Sequence, residues 1–212
     1  LDETVPTNYI ATNDGGDINI WNLTDGDEID DLITSLGTSE QISATNDRTF
    51  AGASNWANAA GSNAFNSYDE TTGGVLTVIP DDDASNRQYA TLDGANWEDD
   101  EGASGIKMII GRKYRLKYTL TITSYSKGTL SVGTSDDSYN LQDVHTYIAN
   151  TPSAVRTLDF TYDANCTKII INAAVSTVLT AVFDNFSLKA LPLPVFHDAS
   201  NRLYVSDANF SS

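Results

Sequence analysis

Carboxylates are the most abundant chemistry-bearing side chains in this sequence: 29 Asp and Glu stand against 12 Lys and Arg, a net charge of −17. Acids that could share acid–base work cluster at Asp81-Asp82-Asp83 and Asp99-Asp100-Glu101, both in turn-like surroundings. Glycoside hydrolysis needs two carboxylates held at a fixed separation across a cleft, which adjacent acids in a loop do not supply; such runs are ordinarily solvated. Nucleophilic catalysis finds still less. His145 and His197 are the only histidines, and Gly102-Ala103-Ser104-Gly105 has the wrong spacing for a nucleophile elbow. Glycine-rich phosphate cradles and His/Cys metal clusters are absent, and Asp25-Gly26-Asp27-Glu28 lacks the spacing of an EF-hand loop. A lone Cys166 rules out an internal disulfide, and its place at the mouth of an apolar run suits a small buried filler. These patterns point away from an enzyme.

Binding chemistry has better raw material. Trp56 and Trp97 lie in polar loops, and Tyr125, Tyr139 and Tyr147 fall outside the strict strand faces. Exposed rings of this kind stack on sugar faces while Asn, Gln and Asp read the hydroxyls; the same rings equally serve as lids over the edge of a sandwich. Trp21, in the N-terminal stretch, is a docking anchor or a local core residue. The acidic balance repels phosphate backbones and anionic leaflets, so nucleic acid and membrane surfaces are not expected partners. It favours solubility, cation binding or docking on a basic protein. No run approaches the roughly 20 apolar residues of a membrane-spanning helix. Residue 1 is not a methionine and opens no basic-plus-apolar leader, so it either follows a processing cut or begins within a longer chain. The four sequons, at Asn22, Asn165, Asn185 and Asn209, are expected to be chance.

The elements that must position these residues are strands. In Arg112–Ser124, Tyr114, Leu116, Tyr118, Leu120 and Ile122 occupy one parity and Lys113, Arg115, Lys117, Thr119, Thr121 and Thr123 the other. Such alternation in aromatic and β-branched residues predicts a half-buried antiparallel strand whose apolar face needs a second layer across it. Further strands are expected at 75–79, 87–92, 106–110, 129–133, 144–148, 155–162, 168–173 and 178–188. They are separated by Gly, Asn, Asp and Ser turns at roughly 8 to 15 residue spacings, the signature of a sandwich or jelly roll. Before residue 46 the texture differs. Residues 7–11 and 18–23 read as extended pieces around the turn cluster Asn13-Asp14-Gly15-Gly16, and Glu28 to Leu36 carries a helical face closed by Gly37. At the other end, Asn201 to Val205 is a lone strand that would need another chain's sheet edge.

Five fragments in order carry a resemblance. Asn46-Asp47-Arg48-Thr49-Phe50 with Asn55-Trp56, Gly111-Arg112-Lys113-Tyr114-Arg115-Leu116, the Gly128-to-Val132 hairpin, Leu158-to-Tyr162, and Phe183-Asp184-Asn185-Phe186-Ser187-Leu188 resemble successive strands of carbohydrate-binding-module-like jelly rolls. Such modules are appended to secreted glycan-degrading enzymes, and the same jelly roll occurs in tailed-phage head decorations, fibres and tail parts. The resemblance covers residues 46 to 190. It implies two antiparallel sheets and often a structural calcium ion where the first strand meets the last, which here would use Asp47 and Asp184. Asp184 shares its parity with Val182 and Phe186, so it is expected to face the apolar side, where a carboxylate needs a cation or hydrogen bonds to compensate it.

The sequence therefore predicts an all-β, two-sheet antiparallel jelly-roll sandwich over 46–190. An N-terminal arm, 1–45, carries one short helix, and a C-terminal extended tail covers 191–212. The missing catalytic domain and linker, with an arm and a tail in their place, predict a non-enzymatic virion component. It would dock on capsid or neighbouring virion subunits and form a homo-oligomer. The alternative is the carbohydrate-binding module of a secreted protein, binding glycans through Trp56, Trp97, Tyr125 and Tyr139.

Overall fold

The computed structural model describes residues 9–14, 17–22, 40–82, 85–97, 108, 110–191, 195–197 and 203–205. In chain order these form β1 (Tyr9–Asp14), β2 (Asp17–Asn22), a single helical turn α1 (Thr45–Thr49), β3 (Ala57–Asn58), β4 (Ser67–Asp69), β5 (Leu76–Ile79) and β6 (Gln88–Asp93). There follow β7 (Lys113–Lys127), β8 (Leu130–Ser135), β9 (Leu141–Tyr147), β10 (Thr151–Thr161), β11 (Lys168–Ala173), β12 (Val178–Ala190), β13 (Val195–His197) and β14 (Leu203–Val205).

Ten strands build two five-stranded antiparallel sheets, ordered β10-β7-β12-β5-β4 and β3-β6-β11-β8-β9. This is the two-sheet jelly-roll sandwich the alternation predicts. The long strand β7 puts Tyr114, Leu116, Tyr118, Leu120 and Ile122 into the core, and each is almost fully buried. Facing it across the layers are Leu130 and Val132 of β8 and Ile169, Ile171 and Ala173 of β11. Aromatic contacts brace the inner side of the first sheet: Tyr118 stacks with Phe186 at 5.5 Å between ring centres, and Tyr114 meets Tyr162 edge-on at 6.1 Å. Such pairs add to the area they bury.

Three features differ from expectation. In β12 a bulge between Asp184 and Ser187, with Asn185 at φ 54, resets the parity. Phe183 and Phe186 both point inward as a result, and Asp184 and Val182 are left half-buried on the other side. Residues 40–42, expected in the arm, lie against β12: Glu40 forms a bridge to Lys189, the Gln41 amide donates to Leu188 O at 2.8 Å, and Ile42 is fully buried in the core. In the tail, β14 pairs with β13, Val205 opposite Val195, so that strand finds its partner within its own chain. The extended pieces near the N-terminus pair as the β1–β2 hairpin, Tyr9 opposite Asn22. The helix expected over 28–36 and most of the strand expected over 106–110 lie outside the described residues. None of the described helices is long and apolar enough to cross a membrane.

Candidate functional site

The residues singled out for chemistry scatter. Trp56 is 4% exposed, its ring 4.8 Å from that of Phe186 and its Nε1 donating to Asp47 O at 2.9 Å. Trp97 is 1% exposed and donates to Leu92 O at 3.2 Å. Both indoles are core pieces whose single N–H is satisfied internally, so neither presents a face to a sugar, and the platform expectation for both is corrected. A loop of polar residues concealed this, because the surrounding turns are polar while the indole folds back under them. Tyr125 is half-buried and closes the β7–β8 hairpin by donating to Gly128 O at 3.0 Å. Tyr147 sits on the inner parity of β9, hydroxyl to hydroxyl with Tyr118 at 2.7 Å.

Asp47 and Asp184 each hold amides. Fully buried Asp47 accepts from the Asn55 backbone at 2.5 Å and from Asn55 Nδ2 at 3.0 Å, so hydrogen bonds compensate its charge. Asp184 accepts from Asn185 N at 2.6 Å and Asn185 Nδ2 at 2.8 Å. Both oxygens of each carboxylate accept from amide donors, the hydrogen-bond compensation that the sequence left open beside a cation. No group of three His, Cys, Asp or Glu comes together among the described residues.

One sheet face stands out instead. Strand β11, KIIINA, is buried at every position, and so is β8. Its inner parity, Ile169, Ile171 and Ala173, belongs to the core; its outer parity is Lys168, Ile170 and Asn172. Register places the outer residues in three rows across β6, β11 and β8: Asp93–Lys168–Ser135, Thr91–Ile170–Gly133 and Tyr89–Asn172–Ser131. Opposed residues in an antiparallel sheet share a face. A strand between two paired neighbours still exposes one face unless something lies over it.

Two things lie over it. On the β9 side, a bulge between Gly133 and Ser135 folds the backbone inward, and a Cβ added at Gly133 would stand 1.9 Å from the Asp143 carbonyl oxygen. Only glycine admits that approach. Over the middle comes Tyr139, from the β8–β9 loop. Its ring stacks on Tyr89 with 4.3 Å between centres and 29° between planes, and Lys168 Nζ lies 5.8 Å from its centre. Tyr89 and Lys168 belong to the two outermost rows, and Ile170, in the row between them, is 0% exposed. Burial and the Tyr139 hydroxyl both push the Tyr89 phenol up from its ordinary pKa.

The loop is braced by its own acids. Asp136 accepts from Ser138 N at 2.9 Å, Asn140 N at 2.8 Å and Asn140 Nδ2 at 2.9 Å, which holds its carboxyl below the usual range. At the end row Lys168 Nζ sits 2.7 Å from Asp93 and 3.5 Å from Asp137. Burial opposes the ammonium, but the two carboxylates prevail and raise its pKa; the Lys168 hydrogen bond in turn lowers that of Asp93. The floor is less well satisfied: Asn172 Oδ1, on a residue 4% exposed, and Ser135 Oγ, on a residue 0% exposed, have no hydrogen-bond partner. Buried acceptors are seldom left so without a reason.

Of the four rings expected to bind, only Tyr139 belongs to this face. Tyr89, Asn172, Lys168 and Ser135 escaped the sequence reading. Their signal was the failure of alternation in Lys168–Ala173, where Ile170 on the outer parity marks a strand covered on both sides.

Fold and face together define the class: an all-β jelly-roll sandwich with one open and one covered outer face. No protein-family model and no curated protein sequence matches the chain. Solved structures do. The unliganded CBM1 of BiXyn10A is 15% identical with a TM-score of 0.48, over 66% of this chain and 93% of that one. A CBM4 structure is 17% identical at 0.45, over 69% and 99%. The enzymatically active domain of bacteriophage CBA120 tailspike protein 4 is 14% identical at 0.44, over 71% of this chain and 22% of that one. At these identities the likeness concerns architecture alone.

Proposed function

We propose that this chain is a non-catalytic, extracellular glycan-binding module that takes up a neutral sugar ring on the outer face of β6, β11 and β8. The observation that carries this reading is a pair of unpartnered buried acceptors on this face, Asn172 Oδ1 in the row of the Tyr89 ring and Ser135 Oγ in the row of Lys168. Sugars offer hydroxyl donors above a flat C–H surface, and this face offers acceptors beside a flat aromatic one. At the end row, Asp93, Lys168 and Asp137 supply a donor and acceptors for further hydroxyls. The carboxylates around this rim, within a chain of net charge −17, disfavour polymers of uronic acids.

Native gels cast with hydroxyethylcellulose, xylan or glucomannan, with alginate as the acidic control, test this reading. The full chain is expected to be retarded by at least one neutral polymer and not by alginate. Tyr89→Ala and Asn172→Ala should each weaken binding about tenfold, the loss of one stacked ring or one hydrogen bond of about 1.4 kcal/mol. Undiminished retardation of Tyr89→Ala would move the site elsewhere. Of the features behind the virion reading, one, the tail strand's need for a foreign edge, is met within the chain by β13.

A further inference from the structure

The Tyr139 ring occupies the place where a ligand ring would stack on Tyr89, and three independent features bear on how it is held there. First, its backbone is left-handed, φ 61, a conformation that bulky side chains avoid and that Asn and Gly tolerate. The surroundings must hold a tyrosine there against that preference. Second, the face on which the ring stacks is buried: Ile170 is 0% exposed, and Asn172 Oδ1 and Ser135 Oγ are buried and unpaired. Covering the apolar Ile170 is favourable and stranding the two acceptors is not, so closure is a compromise between opposing effects. Third, the ring comes from a five-residue connection, 136–140, whose brace at Asp136 is internal to the loop. Asp137 also ties the loop to Thr167 Oγ1 at 2.9 Å and to Lys168 Nζ at 3.5 Å, so opening is a rotation of the half-buried Tyr139 side chain that leaves these ties in place.

We propose that Tyr139 is an intramolecular competitor: its ring plugs the Tyr89 platform in the free protein, and an incoming sugar ring displaces it. The proposal rests on the glycan reading above and adds its regulation. In exchange for Tyr139 the ligand ring takes the same stack on Tyr89, and it brings a hydroxyl donor to Asn172 Oδ1 in the same row, an acceptor the phenol leaves unpaired. A site mostly closed by its own side chain binds with an affinity reduced by the fraction of molecules that are open. Removing the plug must therefore strengthen binding, whereas removing a platform weakens it. That difference in sign separates competitor from platform without knowledge of the natural ligand.

Tyr139→Asn is the variant of choice, since asparagine accepts the left-handed backbone, and Tyr139→Gly guards against an effect peculiar to one substituent. Thermal melts and circular dichroism confirm that both fold. In native gels with the neutral polymer that retards the wild-type chain, both variants are expected to bind at least threefold more tightly, and Tyr89→Ala to bind more weakly. Equal or weaker binding by both Tyr139 variants overturns the competitor role and leaves the glycan reading standing. Retardation of neither wild type nor variants on any polymer defeats the glycan reading and this inference with it. Retardation of the variants alone supports both, with the plug nearly always in place.

Discussion

The two outer faces of the sandwich obey the same pleat and end in opposite states. On the first sheet β7 turns Lys113, Arg115, Lys117, Thr119, Thr121 and Thr123 outward, every one of them exposed or half-exposed. On the second, β11 turns Lys168, Ile170 and Asn172 outward and all three are buried. The first face is met by water, so its sequence alternates cleanly. The second is buried beneath Tyr139 and the β9 bulge, and alternation fails in its central strand at Ile169-Ile170-Ile171. A polar face needs no further explanation; the proposed site rests on the other, where an outward isoleucine and unpaired acceptors are buried.

The sharpest break between the faces is steric. Gly133→Val places a Cβ against the Asp143 carbonyl, a backbone atom that cannot swing aside, so β9 must lift from β8. The expected cost is about 3 kcal/mol, the upper end of ordinary overpacking, with faster amide exchange in 141–147. Thr121→Val on the open face should change stability by less than about 0.5 kcal/mol. Urea melts of the two variants give the comparison directly, and equal costs would mean that β9 does not close over the second face.

The architecture was legible because burial on one side only writes a period of two into the chain. Leu116, Leu120 and Phe160 could be placed inside from their parity alone, and all three are buried. What escaped depended on backbone irregularity or on contacts between distant segments. The bulge at Asn185, φ 54, puts Phe186 on the opposite side from Asp184, and no pattern of residue types announces it. Trp56 and Trp97 looked exposed because their neighbours in sequence are polar, yet their neighbours in space are Phe186 and Tyr162. The site was half legible: Tyr139 stood out as a loop aromatic, while Tyr89, 50 positions earlier in the numbering, joins it only through the pairing of β6 with β11.

A milder contrast lies in the lysines. Lys168→Met removes a largely buried ammonium from Asp93, and the pair's worth, reduced by the exposure of Asp93, is about 1 kcal/mol. Lys117→Met on the open face should fall within about 0.5 kcal/mol. The pH dependence has a definite sign. Lys168 holds the Asp93 carboxyl below its ordinary value, so the contribution is present above about pH 4 and fades as pH falls through the lowered folded value. Burial works against the Lys168 ammonium but Asp93 and Asp137 raise its pKa, so the contribution is complete below about pH 10 and fades as pH rises through the raised folded value. The gap between wild type and Lys168→Met should therefore be flat from about pH 5 to 9 and narrow on acidification. A gap that widened in acid would show that Lys168 is held by packing and not by its carboxylates.

The smallest effect is expected where the structure offers the best-formed ion pair. Arg115 meets Asp159 with Nε at 2.6 Å and the second guanidinium nitrogen at 2.7 Å, a bidentate geometry, yet it stands on the open face with both side chains about two-fifths exposed. Water already solvates each partner there, and ordering two side chains offsets most of what the contact gains. Arg115 also has Lys189 directly opposite in β12, so removing it relieves a like-charge juxtaposition as it breaks the pair. Arg115→Met is expected to move Tm by less than about 2 °C near neutral pH. What it should change is the acid limb: the Arg115 hydrogen bond lowers the Asp159 pKa, a contribution present above about pH 4 and lost below, so wild type and variant melts converge as pH falls towards 3. If Arg115→Met instead cost more than Lys168→Met, geometry would outrank cover in setting the worth of a charge on this sandwich, and the distinction between its two faces would fail.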